Sequence, residues 1–189
     1  MSNLTVSRHF VQAALEGAER LGFDTHEMLK DAGISPDLLR IEMARVSSDQ
    51  FSHLMRVLWH RLDDEFMGFG PRRAPSGTFA TMCALVIDCP TLEAVYRQSY
   101  QFSRLFEPMV TMELETGGDT ARLVSRMEGE IHDPGYFLRE SILVIWHRLG
   151  SWLIGQPAEL TKAEFAYPRP AHGDEYRHIF HCPLAFYAD

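Results

Sequence analysis

MVTMELETGGDTARLVSRMEG, residues 109–129, sets the fold class. Apolar and polar side chains alternate on both sides of Thr116-Gly117-Gly118-Asp119, which is the pattern of two strands joined by a tight turn. Upstream of it the period is helical. Phe10, Val11, Ala14, Leu15, Ala18 and Leu21 recur at i, i+3, i+4 and i+7, and Gly22 stands where a left-handed cap closes a helix. Asp24, with Glu27 three residues on, caps a short helix that Gly33 ends, and Ser35-Pro36 opens a brief turn. Ser47 and Gln50 start a further helix whose apolar stripe is Phe51, Leu54, Met55, Leu58 and Leu62. The first 62 residues therefore read as wholly helical.

FMGFGPRRAPSG, residues 66–77, holds three glycines and two prolines and predicts an irregular loop. A helix follows from Thr78 to about Asp88. Thr91 caps the next, with Leu92, Val95, Tyr96, Ser99, Phe102, Ser103 and Phe106 on one face, and Pro108 ends it. Beyond the hairpin, Asp133-Pro134 supplies an N-cap and a first-turn proline for a helix closed by Gly155. That helix is apolar on most sides, which predicts packing on both faces at the centre of the domain. Its Arg139, Glu140, His147 and Arg148 argue against a membrane span. LTKAEFAYP (160–168) alternates as a strand, GDEYRHIFHC (173–182) reads as a short helix, and PLAFYAD (183–189) as a last strand. The expected class is α+β, a helical N-terminal half packed on a mostly antiparallel β-sheet with a long central helix, in a single domain over residues 1–189.

Composition narrows the function. The chain of 189 residues, 46% hydrophobic and 23% charged, lies in the globular range. Its net charge of −8 disfavours a phosphate backbone as partner, since nucleic-acid affinity needs clustered Lys and Arg. Cys83, Cys89 and Cys182 form no CxxC pair, which argues against a disulfide framework or a structural zinc site. MSNLTVSRHF lacks the basic flank and apolar stretch of a secretory signal, so a cytoplasmic protein without a membrane segment is expected.

Several motifs invite a chemical reading. MLKDAGISPDLLR, residues 28–40, has the spacing of a helix-turn-helix, yet PDLLR is barely one turn with one arginine, too short and too apolar to read bases. A small helical hairpin is the better reading. His172, His178, His181 and Cys182 lack the three or four converging ligands zinc requires, so no metal and no cofactor is expected. GFGPRRAPSG has neither phosphate-loop spacing, but Arg72 and Arg73 precede a helix N-terminus at residues 76–78. Free N–H groups there favour an anion, so the two arginines are candidates for holding a ligand carboxylate. Exposed loop arginines are the alternative. No nucleophile stands with a base and no carboxylate pair marks acid–base work, so an enzyme is not expected. Glu140 and His147, seven apart on one helix, can meet each other or a polar ligand. Of Tyr96, Tyr100, Phe102, Phe106, Trp146 and Trp152, most read as core, with Tyr96, Tyr100 and Trp146 the candidate walls of a ligand cavity.

In order, LKDAGISPDLLR, RVSSDQFSHLMRVLW, DEFMGFG, CPTLEAVYRQSYQFSRLF, the hairpin, the Glu140 helix and FAYPRPAHGDEYRHIFHCPLAFYAD together resemble the N-terminal regulatory domain of AraC/XylS-type transcription regulators. The resemblance is to the subgroup with an arabinose-binding-type N-terminal half, ornithine-utilisation regulators among them, and covers about Gly22 to Asp189. Its most specific parts are the AGIS turn, the TLxxA start at Thr91 to Ala94, and the spacing of Pro170, Tyr176, Phe180, Pro183 and Phe186. It implies a sensor of a small-molecule effector, pairing as a homodimer, with DNA bound only by a C-terminal domain that lies outside these residues. An interaction module that pairs subunits and senses nothing is the alternative.

Overall fold

The computed structural model describes residues 5–106 and 109–188. Its contacts gather into two compact units, Met1–Leu138 and Arg139–Asp189, taken separately below. The class is α+β.

In the first unit, β1 (Thr5–Ser7) leads straight into α1 (Arg8–Arg20), and β2 (Arg45–Ser47) straight into α3 (Ser48–Leu62). β1 and β2 pair antiparallel with Val6 opposite Val46. This ladder corrects the wholly helical reading of the N-terminal segment: Thr-Val-Ser and Arg-Val-Ser are too short to show alternation, and only their pairing makes them strands. Ser47 does close its capping box, accepting from Gln50 N at 3.1 Å while Ser47 N donates to Gln50 Oε1 at 3.0 Å. Asp24 caps α2 (Thr25–Asp31) through Glu27 N, and Gly33 follows with φ 71°. The next element is a 3-10 turn of five residues, Pro36–Arg40, so residues 28–40 contain no recognition helix. Val11, Ala14, Leu15 and Ala18 of α1, Met28 and Leu29 of α2, and Leu54, Leu58 and Leu62 of α3 are buried and form the helical core.

Gly17 fixes how closely α1 meets the loop after α3. A Cβ there would stand 2.0 Å from the backbone oxygen of Met67. Alanine at an ordinary helix-interior glycine gains about 1 kcal/mol from propensity. At Gly17 the clash wins, and Gly17→Ala is expected to cost about 1–3 kcal/mol, read as a lower urea midpoint.

α4 (Thr78–Val86) and α5 (Leu92–Ser103) follow the loop and pack on each other, and α5 lies on β3 (Val110–Gly117). Thr91 caps α5 by accepting from Ala94 N at 3.1 Å. A 3-10 turn, Arg104–Phe106, continues α5, and Pro108, the expected terminator, lies outside the described residues. β3 pairs antiparallel with β4 (Thr120–Met127) from Val110 opposite Met127 to Gly117 opposite Thr120. Gly118, at φ 56°, lets the connection close in two residues.

The boundary between units falls within α6 (Phe137–Leu153). Asp133 accepts from Leu138 N at 3.1 Å, so it caps the helix across a turn in which Tyr136 takes φ 62°, and α6 starts later than Pro134 suggests. Ile145, Arg148 and Trp152 are exposed along one side of α6, Trp152 to 66%, which corrects the expectation that this helix packs on both faces. β5 (Ala163–Phe165) and β6 (Leu184–Phe186), joined through α7 (Tyr176–Phe180), pair parallel with Phe165 opposite Phe186. Among the described residues the strands form three two-stranded ladders, two antiparallel and this one parallel. No helix of the described residues is long and apolar enough to cross a membrane.

Candidate functional site

In the first unit the loop carrying Arg72 and Arg73 is organised by two acidic residues. Asp64 is buried and accepts three backbone N–H groups: Phe66 (3.0 Å) and Ala74 (2.8 Å) at Oδ1, and Gly68 (2.8 Å) at Oδ2. Those bonds turn the chain through left-handed Met67 (φ 53°) and Gly68 (φ 78°). Arg20 donates to the carbonyl of Gly68, and Phe69 packs on Phe137 with ring centres 5.9 Å apart.

Glu65 answers the question of the anion. Its Oε1 accepts from Gly77 N and its Oε2 from Phe79 N, each at 2.8 Å. The first N–H groups of α4 therefore already hold a carboxylate, and it is the chain's own. Arg72 and Arg73 are exposed on the same loop.

Tyr96 and Tyr100 lie one turn apart on α5, both half-buried. Burial pushes the Tyr96 phenol above its ordinary range, because the phenolate would lose its water. The Arg104 guanidinium lies 5.8 Å from the centre of the Tyr100 ring. Between the tyrosines, Ser99 is buried, and its hydroxyl has no hydrogen-bond partner among the described residues. Sequence reasoning placed Ser99 on the buried face but had no means of seeing that its hydroxyl is left over. Trp146 stands half-buried on α6 in the second unit.

The second unit has a polar centre of its own. Glu140 of α6 is buried, and its Oε1 lies 2.7 Å from His172 Nε2 and accepts from the hydroxyl of Tyr176. Tyr176 thereby spends its one proton, so at 3.1 Å it accepts from the Tyr167 hydroxyl. The expected meeting of Glu140 and His147 does not occur as their hydrogen bond: His147 Nε2 is bonded to the carbonyl of Ala158 at 2.8 Å. Around the network, Phe165 contacts the rings of Tyr176 (4.8 Å), Phe186 (5.2 Å), Tyr167 (5.4 Å) and Phe180 (5.6 Å). Three positions of the closing sequence spacing, Tyr176, Phe180 and Phe186, are thus one aromatic cluster. Gly173 lets the approach to α7 turn tightly, since a Cβ there would stand 2.8 Å from Arg169 Cγ.

A Glu–His–Tyr chain has the elements of an acid–base relay, but the Glu140 and His172 side chains are 4% and 10% exposed. So largely buried, the network ties α6 to β5, α7 and β6 within the second unit. It also has a pH signature. Burial, followed by the hydrogen bond and charge of Glu140, raises the Tyr176 phenol far above the 10.0 of a free tyrosine. A phenol raised by folding contributes stability in full below the unfolded value near 10.0 and loses it as pH climbs above that value. The urea midpoint is therefore expected to fall above about pH 10 in the native chain and to fall less steeply in Tyr176→Phe.

Among the described residues no group of three His, Cys, Asp or Glu side chains converges as a metal site. His172 is engaged by Glu140, and His181 closes α7 in a left-handed conformation at φ 52°.

No curated protein matches the chain. A family model described as the arabinose-binding domain of AraC transcription regulators, N-terminal, matches residues 22–189, from just after α1 to the end. The family is one of ligand-binding regulatory domains and not of enzymes. The match takes in the Asp64 loop, α5, the hairpin and the whole aromatic unit around Glu140, and the chain belongs to the family of N-terminal arabinose-binding domains of AraC-type transcription regulators.

Proposed function

We propose that these residues are the effector-sensing and dimerising domain of a bacterial, cytoplasmic AraC-type regulator, and that a small molecule bound to it controls DNA binding by a C-terminal domain outside this chain. Family membership carries the reading. The net charge of −8 and the 3-10 turn at residues 36–40 support placing the DNA contact elsewhere. The effector acts through its difference in affinity for two arrangements of the domain. Its contacts are proposed on α5, where Ser99 offers an unmatched buried hydroxyl beside Tyr96 and Tyr100, and on the exposed Arg72 and Arg73.

A thermal-shift screen of amino acids, fatty acids and aromatic acids tests sensing. A ligand at 100 times its Kd adds about 2.7 kcal/mol, which raises Tm by roughly 5–10 °C in a chain of this size. No shift from any of them would count against sensing of these classes. With a ligand in hand, the double variant Arg72→Ala, Arg73→Ala is expected to weaken its binding about tenfold, by titration calorimetry, with the urea midpoint unchanged. Unchanged affinity removes the arginines from the site.

A second reading, an interaction module that senses nothing, is favoured by one observation: α4 and the residue after it expose Phe79, Leu85 and Ile87.

A further inference from the structure

Two buried hydroxyls in the first unit, those of Ser99 on α5 and Ser125 on β4, have no hydrogen-bond partner among the described residues. They stand on elements that pack together. α5 lies on β3, its buried residues are Val95 and Ser99, and Ser99 is 1% exposed. Ser125 is directly opposite Met112 of β3, so the two side chains share one face of the hairpin, and Val110 and Met112 on that face are buried. Leu114 and Leu123, the next opposed pair along it, are half-buried.

The charges of these elements lie elsewhere. Glu113, Glu115, Arg122 and Arg126 alternate onto the other face of the hairpin, where Glu115 pairs with Arg122 and Glu113 with Arg126, each at 3.7 Å. On the exposed side of α5, Glu93 and Arg97 pair with each other at 2.8 Å. Among the described residues of α5 and the hairpin, the layer between them therefore holds apolar side chains and two unused hydroxyls, and no charge.

We infer that the effector enters this layer with an uncharged, mainly apolar part bearing one neutral hydrogen-bonding group, a hydroxyl or a carbonyl, which Ser99 and Ser125 recognise. The inference deepens the effector site proposed on α5 and rests on it. A buried hydroxyl without a partner has lost its water and gained no bond in exchange. A ligand that brings a polar atom restores the bond, whereas a purely apolar ligand leaves the hydroxyl unpaired, and that difference is the basis of selection. Each serine hydroxyl can donate or accept, so it can meet an alcohol or a carbonyl. A carboxylate is a poor guest, because the layer would strip its water and offer no cation. A charged end of the effector is left outside, where Arg72 and Arg73 are exposed. Met112 suits the apolar part, since a thioether side chain adapts its shape to what it packs against.

Heteronuclear NMR tests this by following the Ser99 and Ser125 amides of the native chain while benzyl alcohol or hexanol is added at neutral pH. Benzoate and hexanoate are the charged controls, and toluene is the apolar one. Both alcohols are expected to move the two amides saturably, toluene to bind about tenfold more weakly, and the carboxylates to leave the amides unmoved. Ser99→Ala is expected to fold with a urea midpoint no lower than the native one, because it removes an unpaired hydroxyl from a helix, and to bind the alcohols no better than toluene. A lower midpoint would show that the hydroxyl is already paired, and overturns the inference. Toluene that binds as tightly as the alcohols, or a folded Ser99→Ala with undiminished affinity for them, also overturns it. Carboxylates that bind here as tightly as the alcohols overturn the neutral chemistry and leave the α5 site standing. Amides unmoved by every probe overturn the α5 site as well, and leave sensing to the ligand screen and to Arg72 and Arg73.

Discussion

Asp64→Ala is expected to lower the unfolding free energy by roughly 3–6 kcal/mol, because one buried carboxylate satisfies three backbone donors and alanine satisfies none. The three N–H groups belong to a loop that turns through left-handed residues, so they cannot re-pair by forming regular structure. Asp64→Asn separates charge from geometry. Its carbonyl can replace Oδ1 towards Phe66 and Ala74, but its amide would face the N–H of Gly68, donor against donor. The asparagine variant should therefore fall between the native chain and alanine. Urea midpoints order the three proteins, and hydrogen exchange checks the cause, with the amides of Phe66, Gly68 and Ala74 losing protection first. Protection unchanged at those amides in Asp64→Ala would show that the carboxylate does not hold the loop.

The second large effect is expected at Glu140. Replacing it by alanine removes the acceptor shared by His172 and Tyr176 and opens a hole among close-packed rings. Breaking a buried, hydrogen-bonded charged group costs about 3–5 kcal/mol, a large part of the stability of an ordinary domain. Glu140→Gln keeps a carbonyl in the place of Oε1, where both donors meet, and gives up the charge, and should cost about 1–2 kcal/mol. Near-ultraviolet circular dichroism reports the tyrosines directly: the aromatic signal should collapse in Glu140→Ala at a urea concentration where the glutamine variant retains it. Equal losses in the two variants would mean that the charge of Glu140 is what matters here, and that the shape and neutral carbonyl kept by glutamine do not.

Local signals in the sequence predicted local structure well. Asp24, Ser47 and Thr91 cap the helices they were expected to cap, and the two-residue turn at Gly118 and Asp119 joins the strands that alternation marks. Each of these depends on residues within a few positions of one another. What escaped notice is non-local. β1 and β2 exist because residues 5–7 meet residues 45–47, and β5 and β6 run parallel because α7 carries the chain back between them. Neither relation leaves a period in three residues. Glu140 stood out as polar in an apolar helix, but its partners are 32 and 36 positions away, so the nearer His147 drew the pairing. The sequence marks the α4 N-terminus as a place for an anion and assigns it to a ligand carboxylate, whereas the structure puts a carboxylate of the chain itself there. That the carboxylate is Glu65 depends on how the intervening loop bends. The expectation that α6 packs on both faces fails on the side of Trp152, because an apolar helix gives no angle at which to assign its outer side.

The close contact at Gly17 bears on where this domain physically begins. Sequence similarity to the family starts at Gly22, yet α1 ends before it, at Arg20. α1 supplies Val11, Ala14, Leu15 and Ala18 to the core, touches the carbonyl of Met67 through Gly17, and tethers that of Gly68 through Arg20. A fragment trimmed to the edge of the similarity would leave one wall of its interior open to water. The residues that match the family are thus fewer than those that enclose the core of the first unit.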